Sequence, residues 1–188
     1  MVSNNPKDIR ISISKSVYLY LAMGLLLIPL RLLVAIACSI AVHELSHMIA
    51  MRIMGIRIYS IRFGIRGALI ESETLNNRQE FFCALAGPLG GALLLLLFRW
   101  LPVMALTGAI HSLYNLLPIY PSDGGRAFQS ILGIHLPGRV GTHIAYCVEI
   151  ITLIVVTAFS VYAAIRFRLG FLPILFAGTM ILSSARGK

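Results

Sequence analysis

LLVAIACSIAVHELSHMIAMRIM, residues Leu32 to Met54, is an apolar run about as long as a membrane-spanning helix, and it carries the pentad His43-Glu44-Leu45-Ser46-His47. On a helix, residues four apart share a face with Cβ atoms ~5–6 Å apart, so the imidazoles of His43 and His47 can meet one Zn²⁺. Glu44 then stands beside the metal as a candidate general base. Three ionisable residues in five positions are costly in hydrocarbon, so a membrane helix that carries them has a use for them. The run points to a membrane-embedded metallohydrolase.

Composition supports the membrane half of that reading independently. The chain is 58% hydrophobic and 12% charged, with a mean hydropathy of +0.86, whereas a soluble domain is about 25% charged. Its 188 residues hold one compact helical unit, so residues 1–188 read as a single domain with no room for an appended soluble one. The net charge of +9 does not indicate nucleic acid, because the basic residues are scattered between apolar runs and form no stripe. Cys38, Cys83 and Cys147 all fall in apolar runs, match no CxxC metal spacing, and read as buried small hydrophobes rather than a disulfide framework.

Six apolar runs are candidate spans: Val17 to Leu30, Leu32 to Met54, Phe81 to Phe98, Leu101 to Tyr120, His143 to Ile165 and Leu169 to Ser184. The expected fold class is an all-α polytopic membrane protein of about six transmembrane helices, with a small interfacial β-hairpin or sheet after the second. Arg31 follows the first run directly without a small-residue cleavage site, so that run does not read as a cleaved signal. With a cytoplasmic N-terminus, twelve basic residues lie inside, and only Arg31, Arg99, Arg166 and Arg168 lie outside. Both termini are therefore expected in the cytoplasm of a prokaryotic cell, with the pentad between mid-bilayer and the cytoplasmic face.

A zinc hydrolase site needs a third protein ligand and an open position for water. Asp123 stands out in Asn115-Leu116-Leu117-Pro118-Ile119-Tyr120-Pro121-Ser122-Asp123-Gly124-Gly125. Two prolines three apart cannot continue a regular helix, so extended backbone is expected to hold Asp123 at membrane depth. Gly124 and Gly125 would let the chain approach the metal and then restart a helix. The plain alternative is an interfacial turn, which such composition also encodes; the neighbouring HExxH favours the ligand.

With HExxH in an early run, Ala86-Gly87-Pro88 in between, and Asn-x-x-Pro-x-x-Pro-x-Asp-Gly-Gly later, the chain resembles the site-2 proteases, which are intramembrane zinc metalloproteases. It looks most like the minimal six-helix branch that includes the sporulation sigma-factor-processing enzymes, and the likeness covers nearly the whole chain. The resemblance implies that His43, His47 and Asp123 hold Zn²⁺, that Glu44 is the catalytic base, and that Asn115 and Pro118 lie in a substrate-binding segment. Ser122 departs from the pattern, since the family usually has leucine before the aspartate. Gly90-Gly91 also depart, standing where many members place a polar residue.

Between the second and third runs, Tyr59, Ile61, Phe63 and Ile65 alternate with Ser60, Arg62, Gly64 and Arg66, which is a strand pattern. In the resembled family a small sheet here receives substrate as an added strand, implicating Ile61 and Phe63. A lipid-anchoring hairpin without a substrate role is the alternative. Glu149 either lines a water path to the metal or contacts substrate, or is explained by a local partner such as His143 or by nearby headgroups. His111 either bonds the active-site segment or packs between helices. Ser46 is expected to bond the Val42 carbonyl. Ser39, Ser112 and Thr152 invite no serine-protease reading, because no motif places a histidine and an acid beside them.

The expected activity is hydrolysis of a peptide bond in or near a transmembrane segment, as in regulated intramembrane proteolysis. Zn²⁺ would lower the pKa of its water and polarise the scissile carbonyl, while Glu44 takes the proton and returns it to the leaving amine. The expected partners are a single-pass or membrane-tethered protein substrate and the lipid bilayer; oligomeric state is not legible in the chain. A metal-binding transporter or an inactive scaffold is the alternative of another class, and Glu44 discriminates, since a transporter needs ligands but no base. Topology gives a direct test. A reporter fused after Lys188 should read cytoplasm and one between Phe98 and Leu101 the opposite side; reversed results at both sites would turn the pentad toward the wrong compartment.

Overall fold

The computed structural model describes residues 10–64, 67–136, 138–168 and 170–186. A short strand β1 (Arg10–Ile13) leads into helix α1 (Lys15–Leu27) and the long α2 (Leu30–Ile53). Strands β2 (Ile58–Gly64) and β3 (Gly67–Ser72) follow, then α3 (Asn77–Leu93), which tightens into a 3₁₀ turn over Leu94–Leu97. The remainder is α4 (Pro102–Asn115), α5 (Asp123–His135), α6 (Gly138–Arg166) and α7 (Leu172–Arg186).

Each of the six expected runs contains a helix, and the fold class is as read from the sequence. Among the described residues, α2, α3 with its 3₁₀ turn, and α6 are long and apolar enough to cross a membrane, at 24, 21 and 29 residues. The element boundaries have local causes. Pro29 disfavours helical backbone at Ile28, which is extended (φ −118°, ψ 134°) and separates α1 from α2. Asn76 and Gln79 form a reciprocal capping box that starts α3, with Gln79 N–H donating to Asn76 Oδ1 at 2.9 Å and Asn76 N–H to Gln79 Oε1 at 3.1 Å. The additional helix, α5, is too polar along Asp123, Arg126 and Gln129 to register as an apolar run.

The small sheet has three strands, in the order β1-β2-β3. β1 runs parallel to β2, with Ile11 beside Ile61, and β2 runs antiparallel to β3, with Ile61 opposite Ile70 and Phe63 opposite Ala68. A bulge between Ile58 and Ser60 breaks the expected alternation. Tyr59 is consequently exposed while Ile61 is buried, so these two do not share an environment as expected. Ile65 and Arg66 lie outside the described residues.

Packing is inverted relative to a soluble protein. Large apolar side chains point outward, with Leu26 84% and Leu96 74% exposed, while small residues such as Ala35, Ala84, Gly87, Gly91 and Ala105 are buried between helices. Lipid supplies no hydrophobic drive for helices to associate, so close backbone approach and interhelical hydrogen bonds take over. Ser39 on α2 shows the second device, bonding Thr107 Oγ1 on α4 at 2.8 Å in addition to its own Ala35 carbonyl at 2.8 Å. Of the cysteines only Cys83 is buried; Cys38 and Cys147 lie exposed on α2 and α6, contrary to expectation. Glu149 is buried and accepts a hydrogen bond from Ser184 Oγ on α7, which places a local partner for it in the α6–α7 seam. His143 instead bonds the Arg139 carbonyl at 2.8 Å.

Gly108 on α4 marks a close approach to α3 and its 3₁₀ turn, since a Cβ there would lie 2.8 Å from the Gly91 carbonyl oxygen and 2.7 Å from Leu94 Cδ1. Gly108→Ala should destabilise the protein by about 1–3 kcal/mol through forced separation of the helices. Gly178→Ala on α7, where a Cβ would meet nothing within 4 Å, should be neutral or stabilising. Thermal unfolding in detergent checks the contrast; equal effects would remove the α3–α4 approach as a packing determinant.

Candidate metal centre

The i, i+4 column of α2 is Ala35, Ser39, His43, His47 and Met51, all buried, on the side of α2 that faces α3 and α4. Asp123 comes from the start of α5, and its carboxylate meets both imidazoles. Oδ2 lies 2.9 Å from His43 Nε2 and 3.2 Å from His47 Nε2, and the two Nε2 atoms are 3.2 Å apart. Ligands ~2.0–2.1 Å from one tetrahedral centre would themselves be roughly 3.3–3.4 Å apart, so this donor set fits a single zinc ion. The three residues form a buried group able to hold a metal.

The tautomer of His47 agrees with that role. Its Nδ1–H donates to the Cys83 carbonyl at 2.7 Å, which leaves the Nε2 lone pair for a metal. His43 is fixed differently. Its Nδ1 is buried without a partner, and its ring packs edge-on against His47 (centroids 4.8 Å apart) and His111 (4.7 Å). The cradle is completed by Gly87 of the Ala86-Gly87-Pro88 step, where a Cβ would strike His47 Nε2 and lie 2.8 Å from His43 Nε2. Gly90 similarly admits Ser46, whose hydroxyl donates to the Val42 carbonyl at 2.8 Å as expected.

The segment leading to Asp123 is tightly turned and not extended as expected. Leu117 N–H bonds the Tyr114 carbonyl, Ile119 N–H the Leu117 carbonyl and Ser122 N–H the Ile119 carbonyl. The glycine pair serves this turn rather than the metal. A Cβ on Gly124 would collide with the Leu116 and Leu117 carbonyls, and one on Gly125 would lie 2.6 Å from Ile119 C and Tyr120 N. The helix restarts as expected, and Ser122, the departure from the family pattern, caps it by accepting from Gly125 N–H at 3.4 Å. Its hydroxyl points back at the Leu117 and Ile119 carbonyls at 2.7 and 2.6 Å, which ties the turn to the helix start.

Glu44 Oε1 accepts a hydrogen bond from Ala68 N–H at 3.0 Å, so the start of β3 touches the candidate base. Gly67 makes this approach possible, since its φ of 106° favours glycine and a Cβ there would strike Glu44 Oε1. Asn115 Nδ2 donates to the His111 carbonyl at 3.0 Å and lies 3.2 Å from His111 Nε2. His111 thus touches Asn115 within α4 and the His43 ring across the α2–α4 contact, so both alternatives read from the sequence describe it. Pro118 stands in the turn, Ile61 is buried, and Phe63 is paired beside Ala68. Three participants were missed from sequence: the Cys83 carbonyl, Ala68 N–H, and Arg126, whose Nη1 lies 3.4 Å from Asp123 Oδ1. Only Arg126 left a signal, by standing three positions after Asp123.

Metal content tests the assembly. Asp123→Asn keeps shape but removes the anionic oxygen, and Gly87→Ala puts a methyl against both histidine nitrogens; each should lower zinc per polypeptide well below wild type. Glu149→Gln should leave zinc unchanged. Zinc retained by Asp123→Asn and lost from Glu149→Gln would mean that the wrong carboxylate was chosen.

No protein-family model matches the chain. A protein of Synechocystis sp., provisionally named as a zinc metalloprotease, is 33% identical over 131 residues, which cover 55% of this chain and 34% of that protein. The chain thus spans about a third of the length of the curated relative it matches. Among solved structures, the site-2 protease from Methanocaldococcus jannaschii superposes with a TM-score of 0.63 over 96% of this chain and 92% of that one, at 19% identity. The chain has the fold of a site-2 protease, and the fold expected from the resemblance of its motifs is borne out.

Proposed function

We propose that this chain is a zinc-dependent intramembrane endopeptidase that hydrolyses a peptide bond in or near a transmembrane segment of a membrane-tethered protein. The observation that carries the reading is the convergence of His43 Nε2, His47 Nε2 and Asp123 Oδ2, with Glu44 next to His43 on the same helix. Zinc bound there would supply Lewis acidity and a water acidified toward neutrality. The chain's own groups do the rest. The Cys83 carbonyl orients His47, Ala68 N–H fixes one oxygen of Glu44, and the Glu44 carboxylate takes a proton from the nucleophilic water and returns it to the leaving amine.

Substrate would enter as an extended segment, because a helix hides the bond to be cut. β2 is the central strand, with both main-chain edges already paired. An added strand would therefore align along the outer edge of β3, whose first residues reach Glu44, and Ile61 and Phe63 would act through their side chains alone. Asn115 and Pro118, beside His111, would flank the scissile region. The distribution of basic residues supports cytoplasmic termini, with product released on that side.

Glu44→Gln provides the test. It should retain zinc yet lose cleavage of a co-expressed membrane substrate by several orders of magnitude, because water deprotonation and amine protonation both fail. Cleavage at a near wild-type rate in this variant would end the metalloprotease reading.

A further inference from the structure

We propose that Arg126, held by Glu80, is a positioning residue that fixes Asp123 as a one-oxygen metal ligand. This rests on the metal site proposed above and extends it to residues outside the ligand set. Asp123 divides its two oxygens: Oδ2 faces both histidine nitrogens, while Oδ1 faces Arg126 Nη1 at 3.4 Å. Arg126 is itself anchored, with Nε donating to Glu80 Oε1 at 2.7 Å. A planar guanidinium presents Nε and Nη in fixed directions, so it can hold two carboxylates at once; an ammonium on a flexible stem does this poorly.

Three features give the chain Glu80–Arg126–Asp123 more weight than an ordinary surface ion pair. Its members are half-buried or deeper, with side-chain exposures of 25%, 31% and 10%. Glu80 lies in the first turn of α3, where a carboxylate complements the helix N-terminus. Above all, Glu80, Cys83 and Gly87 follow at spacings of three and four along one face of α3. That face carries the anchor for Arg126, the carbonyl that orients His47, and the gap that admits the ligand nitrogens. The Glu80–Arg126 contact thus sets the position of α5, and with it Asp123, against the helix that already positions His47. Without Arg126, Oδ1 is free to turn toward the metal and occupy the position that a water needs.

The test uses purified full-length protein and reads zinc affinity by chelator competition, together with the visible absorption of the cobalt(II)-substituted form, whose intensity falls as coordination number rises. Arg126→Gln should lower zinc affinity by about 10- to 100-fold and weaken the cobalt band. Glu80→Gln should shift both in the same direction by less, and Arg126→Lys should recover part of the loss. A scaffolding role alone would lower the unfolding temperature and leave the cobalt band at wild-type intensity, which overturns the proposal. Wild-type affinity and spectrum in Arg126→Gln, or in Glu80→Gln should Arg126→Gln fail to fold, overturns it as well. Asp123→Asn run alongside separates the two levels: zinc lost from Asp123→Asn but kept by Arg126→Gln rejects only the positioning role, whereas zinc kept by both rejects the metal site itself.

Discussion

Two imidazole nitrogens and a carboxylate oxygen within 3.2 Å of one another, buried among apolar helices, form the constraint on which the rest of the structure depends. Each lone pair aimed at the others is repulsive unless a proton or a cation stands between them. One proton can serve one pair at a time, whereas a metal ion serves all three together. The surrounding chain is organised to keep the three atoms at this separation: a buried column on α2, a glycine on α3, and a stapled turn before α5.

Closeness of this kind is achieved with few side-chain atoms. Gly87, Gly90, Gly91 and Gly108 remove bulk where helices meet, and the hydrogen bonds that replace hydrophobic burial run through Ser39, Thr107 and the Cys83 carbonyl. The energetic consequence is that added volume costs more here than lost contact area. A single methyl at Gly87 acts on the ligand nitrogens directly, with no flexible side chain to absorb it.

The sequence revealed whatever was periodic or charged out of place. His43 and His47 were legible from helical spacing, and the end of α4 from Pro118 and Pro121. Asp123 needed its neighbours and a resemblance, because a ligand 76 residues from its partner has no spacing rule. The strand β2 was legible from alternation, but its bulge at Tyr59 was not, since bulges depend on the partner strand. Four residues were too few for β1 to stand out. Arg126 was hidden among basic residues that read equally well as topology determinants. The Cys83 carbonyl and Ala68 N–H were beyond reach for a simpler reason: every residue but proline carries both groups, so nothing in the side-chain order marks the one that is used.

The separation of 76 to 80 residues between the histidines and Asp123 also governs the order in which the protein can be made. During synthesis α2 reaches the membrane well before α5 exists, so His43, His47 and Glu44 first enter without the carboxylate that completes their site. Until α5 follows, three ionisable residues on an apolar helix lack that partner, which is costly in hydrocarbon. The two parts of the cluster therefore meet only after α3 and α4 have been made, so a chain cut short before α5 carries the two histidines without the carboxylate that faces them.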